Sequence, residues 1–261
     1  MFKDNAMFHL MLRQGDVGRY VLLPGDPGRC EKIARYFDEP RLVAENREFR
    51  TYTGTLLGEK VSVTSTGIGC PSTAIAVEEL AALGADTFIR VGTAGGIQSD
   101  IYPGDVAIIT AAIRDEGTTP QYMPVEFPAV ADLDVVIALK EGAEKAGVRY
   151  HLGITHSKDS FYGEMQPQRM PVGQRLLERW QAWKMGGAIC SEMECAAIFI
   201  ICSILKKRAS GVMLVADSPA VKQSPEGASG LGAALPDIDR AIRTAIEGVK
   251  ILIERDRNQQ G

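Results

Sequence analysis

Apolar positions fall into short runs divided by turn residues, and the runs alternate between strand-like and helix-like periods. Tyr20-Val21-Leu22-Leu23 is apolar throughout and stops at Pro24-Gly25-Asp26-Pro27-Gly28. That is the pattern of a buried strand feeding a tight turn. A helix is predicted over 29–37, then strands at 49–57 and 60–64 around Gly58-Glu59. A helix at 72–83 closes at Gly84, and a strand at 87–91 ends in Gly92-Thr93-Ala94-Gly95-Gly96. Further strands are expected at 106–112, 151–157 and 211–216, with helices at 133–146, 173–185, 192–205 and 238–254. Alternating strands and helices predict an α/β sheet covered on both faces. No repeat or linker divides residues 1–261, so one domain is expected. Residues 221–236 are rich in Gly, Ser and Pro and read as a loop at a strand end, where lids occur.

Composition narrows the class. Hydrophobic residues make up 45% of 261, enough for a sizeable core, and the net charge is −4. A mildly acidic chain without a basic run lacks the positive field that nucleic-acid binding needs. The five cysteines, Cys30, Cys70, Cys190, Cys195 and Cys202, have no CxxC spacing and read as reduced, buried thiols of a cytoplasmic protein. Residues 1–13 lack the long apolar core of a signal peptide. The apolar run 195–205 is too short to span a bilayer.

Four segments carry candidate chemistry. In Gly25-Asp26-Pro27-Gly28-Arg29, a glycine and a helix-start arginine sit where open α/β sheets bind ligands. The alternative is a plain turn with a surface arginine. Arg90 interrupts an apolar strand just before Gly92-Thr93, and a charge there needs either an anion ligand or a buried carboxylate partner. In Ser191-Glu192-Met193-Glu194, the carboxylates could cap the following helix or accept hydrogen bonds from a sugar. In 160–169, Phe161 could stack on a flat ring while Glu164, Gln166, Gln168 and Arg169 read its edge. A polar surface loop is the alternative.

Other signatures fall short. Gly67-Ile68-Gly69-Cys70-Pro71-Ser72 approaches a dinucleotide fingerprint but has Ser72 for its third glycine. There is no GxxxxGK[ST], HExxH or GxSxG. His9, His151 and His156 show no zinc-like spacing.

Taken in order, PGDPGR at 24–29, NREF at 46–49, STGIGCPS at 65–72, IRVGTAGG at 89–96, GDV at 104–106, EFPAVAD at 126–132, KDSFYG at 158–163 and SEME at 191–194 span nearly the whole chain. Together they resemble the family-I nucleoside phosphorylases, most closely the uridine phosphorylase branch. The resemblance implies a nucleoside phosphorylase fold, with a central mixed β-sheet flanked by helices, and a hexamer built as a trimer of dimers. It implies a pentosyltransferase of nucleoside catabolism and nucleotide salvage, which uses inorganic phosphate as co-substrate and needs no other cofactor. Gly25, Arg29, Arg90 and Thr93 would bind phosphate, with Arg47 from the neighbouring subunit. His9, also from the neighbour, would join Glu192, Met193 and Glu194 on the ribose. Phe161 would stack against sugar or base. Arg90 and Glu194 would belong to the catalytic set. Some relatives hold a potassium ion at the dimer interface with residues matching Glu48, Ile68 and Ser72.

Two positions depart from the pyrimidine pattern. Glu164 stands where a base-reading glutamine is usual, with Gln166 as a shifted substitute and Arg169 beside it. Asp217 stands where purine-cleaving relatives carry a general acid; it could equally shape the turn before Pro219. Uridine is therefore the first substrate to try, and a 6-oxopurine nucleoside using Asp217 is the alternative. A nucleosidase, an NAD-binding oxidoreductase and a non-catalytic nucleoside binder are the remaining readings.

Overall fold

The computed structural model describes residues 6–219 and 236–260. Strand β1 (Tyr20–Leu23) leads through the Pro24–Gly25 turn into α1 (Pro27–Ala34). Strands β2 (Asp38–Asn46), β3 (Phe49–Leu56) and β4 (Glu59–Thr64) form an antiparallel meander. Then come α2 (Cys70–Ala82), β5 (Thr87–Gly96), β6 (Val106–Asp115), the short β7 (Ala129–Val130) and α3 (Leu133–Ala146). After β8 (Tyr150–Lys158), α4 (Phe161–Met165) and α5 (Gly173–Met185), a short β9 (Cys190–Glu192) precedes α6 (Cys195–Leu205). Strand β10 (Arg208–Asp217) and α7 (Asp239–Gln260) complete the order.

The strands join one mixed sheet. β1 pairs in parallel with β4 and β5. β10 pairs with β5 on one side and β6 on the other. β6 pairs with β8, β8 with β9, and β9 returns to the end of β5. These contacts close a ring of β5, β10, β6, β8 and β9, from which β1, β4, β3 and β2 extend as an open wing. All four β1 residues are buried because both faces are covered. Strand alternation sends Val21 and Leu23 to a cluster with α2 and α6, and Tyr20 and Leu22 to one with α1, α3 and α7. α3 and α7 approach closely through glycines: a Cβ on Gly142 would lie 2.6 Å from the Thr244 carbonyl and 2.7 Å from the Gly248 nitrogen.

The structure departs from the predicted elements in several places. The helix expected from 192 starts at Cys195, and Glu192 ends β9 instead. Its carboxylate caps the helix from outside, accepting from the Glu194 and Cys195 N–H groups. β5 continues past Val91 to Gly96 because β10 and β9 supply partners for the glycine-rich end. β2 was not anticipated, since it is a largely exposed outer strand whose only apolar run is Leu42-Val43-Ala44. α1 begins at Pro27 rather than 29, because the Asp26 side chain accepts from the Gly28 N–H at 2.8 Å. Apart from Pro236, the predicted loop at 221–236 lies outside the described residues. Among the described residues, no helix is long and apolar enough to cross a membrane, and the five cysteines are buried and free.

Candidate active site

Arg90 is 5% exposed and sits in β5, facing the start of α6. Its Nε donates to Glu192 Oε2 at 3.2 Å, and its Nη2 donates to Glu194 Oε2. Gly92 makes this possible: a Cβ there would lie 2.7 Å from Met213 Sδ and 3.0 Å from Arg90 Nη2, so the guanidinium could not fold back over the strand. The third nitrogen, Nη1, is buried and has no hydrogen-bond partner among the described residues. An unsatisfied buried donor is costly and calls for an explanation. It lies beside the first turn, since a Cβ on Gly25 would be 3.8 Å from it.

Arg29, in the first turn of α1, donates to the Val91 carbonyl at 3.4 Å. Burial, and then the neighbouring charge of Arg90, push its pKa below the ordinary arginine value. Gly25, Arg29 and Arg90 thus bring two mutually repelling cations and an orphaned N–H to one turn at a helix start. Such a place suits a multiply charged anion. Thr93 lies half-buried further along β5.

The two carboxylates are anchored from several elements. Glu192 Oε1 accepts from Ser157 Oγ on β8. Glu194 Oε1 accepts from the Gly69 N–H at 2.6 Å, so the glycine loop before α2 aims a backbone donor at it. Burial, opposed by Arg90 and reinforced by Glu192, raises the Glu194 pKa above the usual carboxylate value. One guanidinium thus serves two buried acids. Met193 is half-buried between them, and its carbonyl accepts from Cys70 Sγ. The ion pair and the helix cap read as alternatives to ligand binding are both present, and they still leave Nη1 and Arg29 available.

Beyond β8 the aromatic segment folds as α4, capped by Ser160 Oγ accepting from the Gly163 N–H at 3.0 Å. Phe161 is 40% exposed and packs edge-on against Tyr162. Arg169 Nη1 donates to Gln166 Oε1, pairing those two candidates. Glu164 turns the other way: its Oε2 accepts from Ser191 Oγ at 2.5 Å and lies 3.0 Å from Lys158 Nζ. Asp217 ends β10 at a bulge beside Gly95 and accepts from the Ser218 N–H at 2.8 Å.

His9, Arg47 and Glu48 gather near the β2–β3 turn. His9 Nδ1 lies 2.7 Å from Glu79 Oε1, its carbonyl accepts from Asn46 Nδ2, and Arg47 is exposed with φ 54°. Ser72 Oγ donates to Glu48 Oε1 at 2.7 Å, and that bond, before the charges of Arg47 and His9, lowers the Glu48 pKa. Ile68 is 78% exposed. Sequence reasoning did not place Ser157, Gly69, His156 or Lys158 at the site. The strand alternation that sets Ser157 opposite Glu192 was the available signal.

The family model described as the Phosphorylase superfamily matches residues 19–245. The chain belongs to this superfamily. It is 50% identical over 257 residues to the uridine phosphorylase of Treponema pallidum (strain Nichols), covering 98% of each chain. To the uridine phosphorylase of Thermococcus kodakarensis it is 46% identical, covering 99% of this chain and 91% of that one. To the guanosine phosphorylase of Halorubrum lacusprofundi it is 37% identical, covering 94% and 98%.

Proposed function

We propose that the protein is a nucleoside phosphorylase that cleaves uridine with inorganic phosphate, giving uracil and ribose 1-phosphate. The orphaned Arg90 Nη1 beside Gly25, with Arg29 close by, carries this reading. Two relatives of 46% identity or more named uridine phosphorylase support it.

Phosphate sits on Gly25, Arg29, Arg90 and Thr93, with Arg47 added from a neighbouring subunit. Glu192 and Glu194 accept hydrogen bonds from the ribose hydroxyls, Met193 packs on the sugar, and the neighbour's His9 reaches its 5′ end. A phosphate oxygen forms the new bond to the anomeric carbon as the bond to the base breaks. The bonding pair leaves with the base, which takes up a proton. The sugar passes through an oxocarbenium-like state, stabilised by the carboxylates and the incoming phosphate. No protein nucleophile is needed, because positioning and charge placement do the catalysis. Phe161 stacks, and Gln166 with Arg169 donates to the base edge as negative charge builds there. Glu164, its carboxylate already engaged by protein donors, supports that segment from behind.

Asp217 supports a second reading. It stands at the strand end beside Gly95 and would suit protonation of a 6-oxopurine, and one relative is named guanosine phosphorylase. The subunits assemble as a hexamer, a trimer of dimers, and the free buried thiols suit the reducing cytoplasm. Glu48, Ser72 and the backbone at Ile68 offer carboxylate, hydroxyl and carbonyl oxygens, the hard donors that potassium prefers.

One assay panel tests the function. Uridine, thymidine, inosine, guanosine and adenosine are each incubated with and without phosphate. Uracil release from uridine only with phosphate is expected. Release that ignores phosphate overturns the reading. Turnover of inosine but not uridine, lost in Asp217→Asn, moves the substrate to the purines.

A further inference from the structure

β8 and β9 carry two networks back to back. On the front, Ser157 donates to Glu192, which in turn accepts from Arg90. On the back, the residue after Ser157 and the residue before Glu192, Lys158 and Ser191, meet Glu164 of α4. Lys158 is 6% exposed. Its Nζ donates to Ser191 Oγ at 2.7 Å and lies 3.0 Å from Glu164 Oε2. Ser191 Oγ in turn donates to Glu164 Oε2 at 2.5 Å. His156 Nδ1 lies 3.2 Å from Ser191 Oγ, while its Nε2 lies 2.9 Å from Asp115 Oδ2. Behind them opens a cavity of about 420 Å³, walled by Trp180 and Trp183 of α5. α4 is only five residues long. A single helical turn does not hold its own position, so an outside anchor must set it.

We propose that Lys158 and Glu164 form a clamp that positions α4 on the ribose strand from outside the substrate pocket. The clamp joins the segment bearing Phe161, Gln166 and Arg169 to Ser191, whose neighbour Glu192 holds the sugar. It therefore fixes the distance between base recognition and ribose recognition, and it tunes nucleoside affinity without touching phosphate. Lys158 and Glu164 are positioning residues. The inference rests on the function proposed above and adds a selectivity determinant to it.

The test uses full-length Lys158→Met and the double variant Lys158→Met/Glu164→Gln, in which no unpaired buried charge remains. Two readouts are taken: KM for uridine and for phosphate, and hydrogen exchange of the amides in 161–166 without substrate. In Lys158→Met, the uridine KM is expected to rise about tenfold, since small misplacements are costly. Its phosphate KM should stay within about twofold by the same argument. The 161–166 amides should exchange about tenfold faster, as expected when a local anchor is lost. The double variant should recover part of both losses. Equal rises in both KM values, or an unchanged uridine KM, overturn the clamp, as does unchanged exchange in 161–166. If the unaltered protein turns over no nucleoside, the proposed function fails, and the exchange experiment alone decides the clamp.

Discussion

Arg90 holds two buried carboxylates with two of its nitrogens and leaves the third without a partner among the described residues. Removing it would strand both acids, and breaking a buried pair in this way costs about 3–5 kcal/mol. Arg90→Ala is therefore expected to lower the melting temperature as well as activity. Arg29 separates the two effects, because its hydrogen bond to the Val91 carbonyl is a long one, at 3.4 Å. Arg29→Ala should raise the phosphate KM about tenfold or more, the loss of a charge-assisted contact, with little change in the uridine KM. Steady-state kinetics with each substrate varied checks this. His156 gives a pH signature. Burial alone would lower its pKa, but hydrogen bonds to Asp115 and Glu164, and their charges, hold it above the ordinary 6.5. Its contribution to stability is full below that ordinary value and fades as pH rises through the raised one. Lys158 and Arg179 also face this cluster. The melting-temperature gap between the protein and His156→Gln should narrow as pH rises from 6 to 9. At this scale Arg90 was legible because a lone charge in an apolar strand is anomalous. Lys158 was not, because it borders a polar loop and its partner lies six positions on, across a fold the sequence does not display.

Elements with a strong period were read well: α3 and α5 run over the residues their patterns marked. The strand misses share a cause. β2, β9 and the end of β5 exist because a neighbouring strand offers them hydrogen bonds, and no local run of side chains announces that. The Glu192 cap likewise mimics a helix start in sequence while belonging to a strand. Packing between elements gives a clean test at Gly142. A Cβ there would press on the α7 backbone at Thr244 and Gly248, where nothing can swing aside. Gly142→Ala is expected to destabilise the fold by about 1–3 kcal/mol through overpacking, with KM values unchanged. Denaturant unfolding and kinetics on the same preparation check both halves.

For the whole molecule, the geometry bears on how copies cooperate. His9 and Arg47 lie at the β2–β3 turn, and in the proposed assembly they complete a neighbour's site. Two defective chains should then repair each other. When Arg29→Ala and Arg47→Ala chains are co-expressed, each mixed pair holds one site with both arginines intact. Activity well above either variant alone is expected, and none above that level would assign Arg47 to its own chain's site.

The orphaned Arg90 nitrogen has a thermodynamic consequence outside catalysis. An anion that satisfies it binds the folded chain and has no such site on the unfolded one. Phosphate should then act as a folding ligand, adding about 2.7 kcal/mol at one hundred times its dissociation constant. At fixed ionic strength, the unfolding midpoint should climb with phosphate, and in Arg29→Ala the same climb should need about tenfold more phosphate. The heat resistance of this protein would thereby report how much phosphate surrounds it.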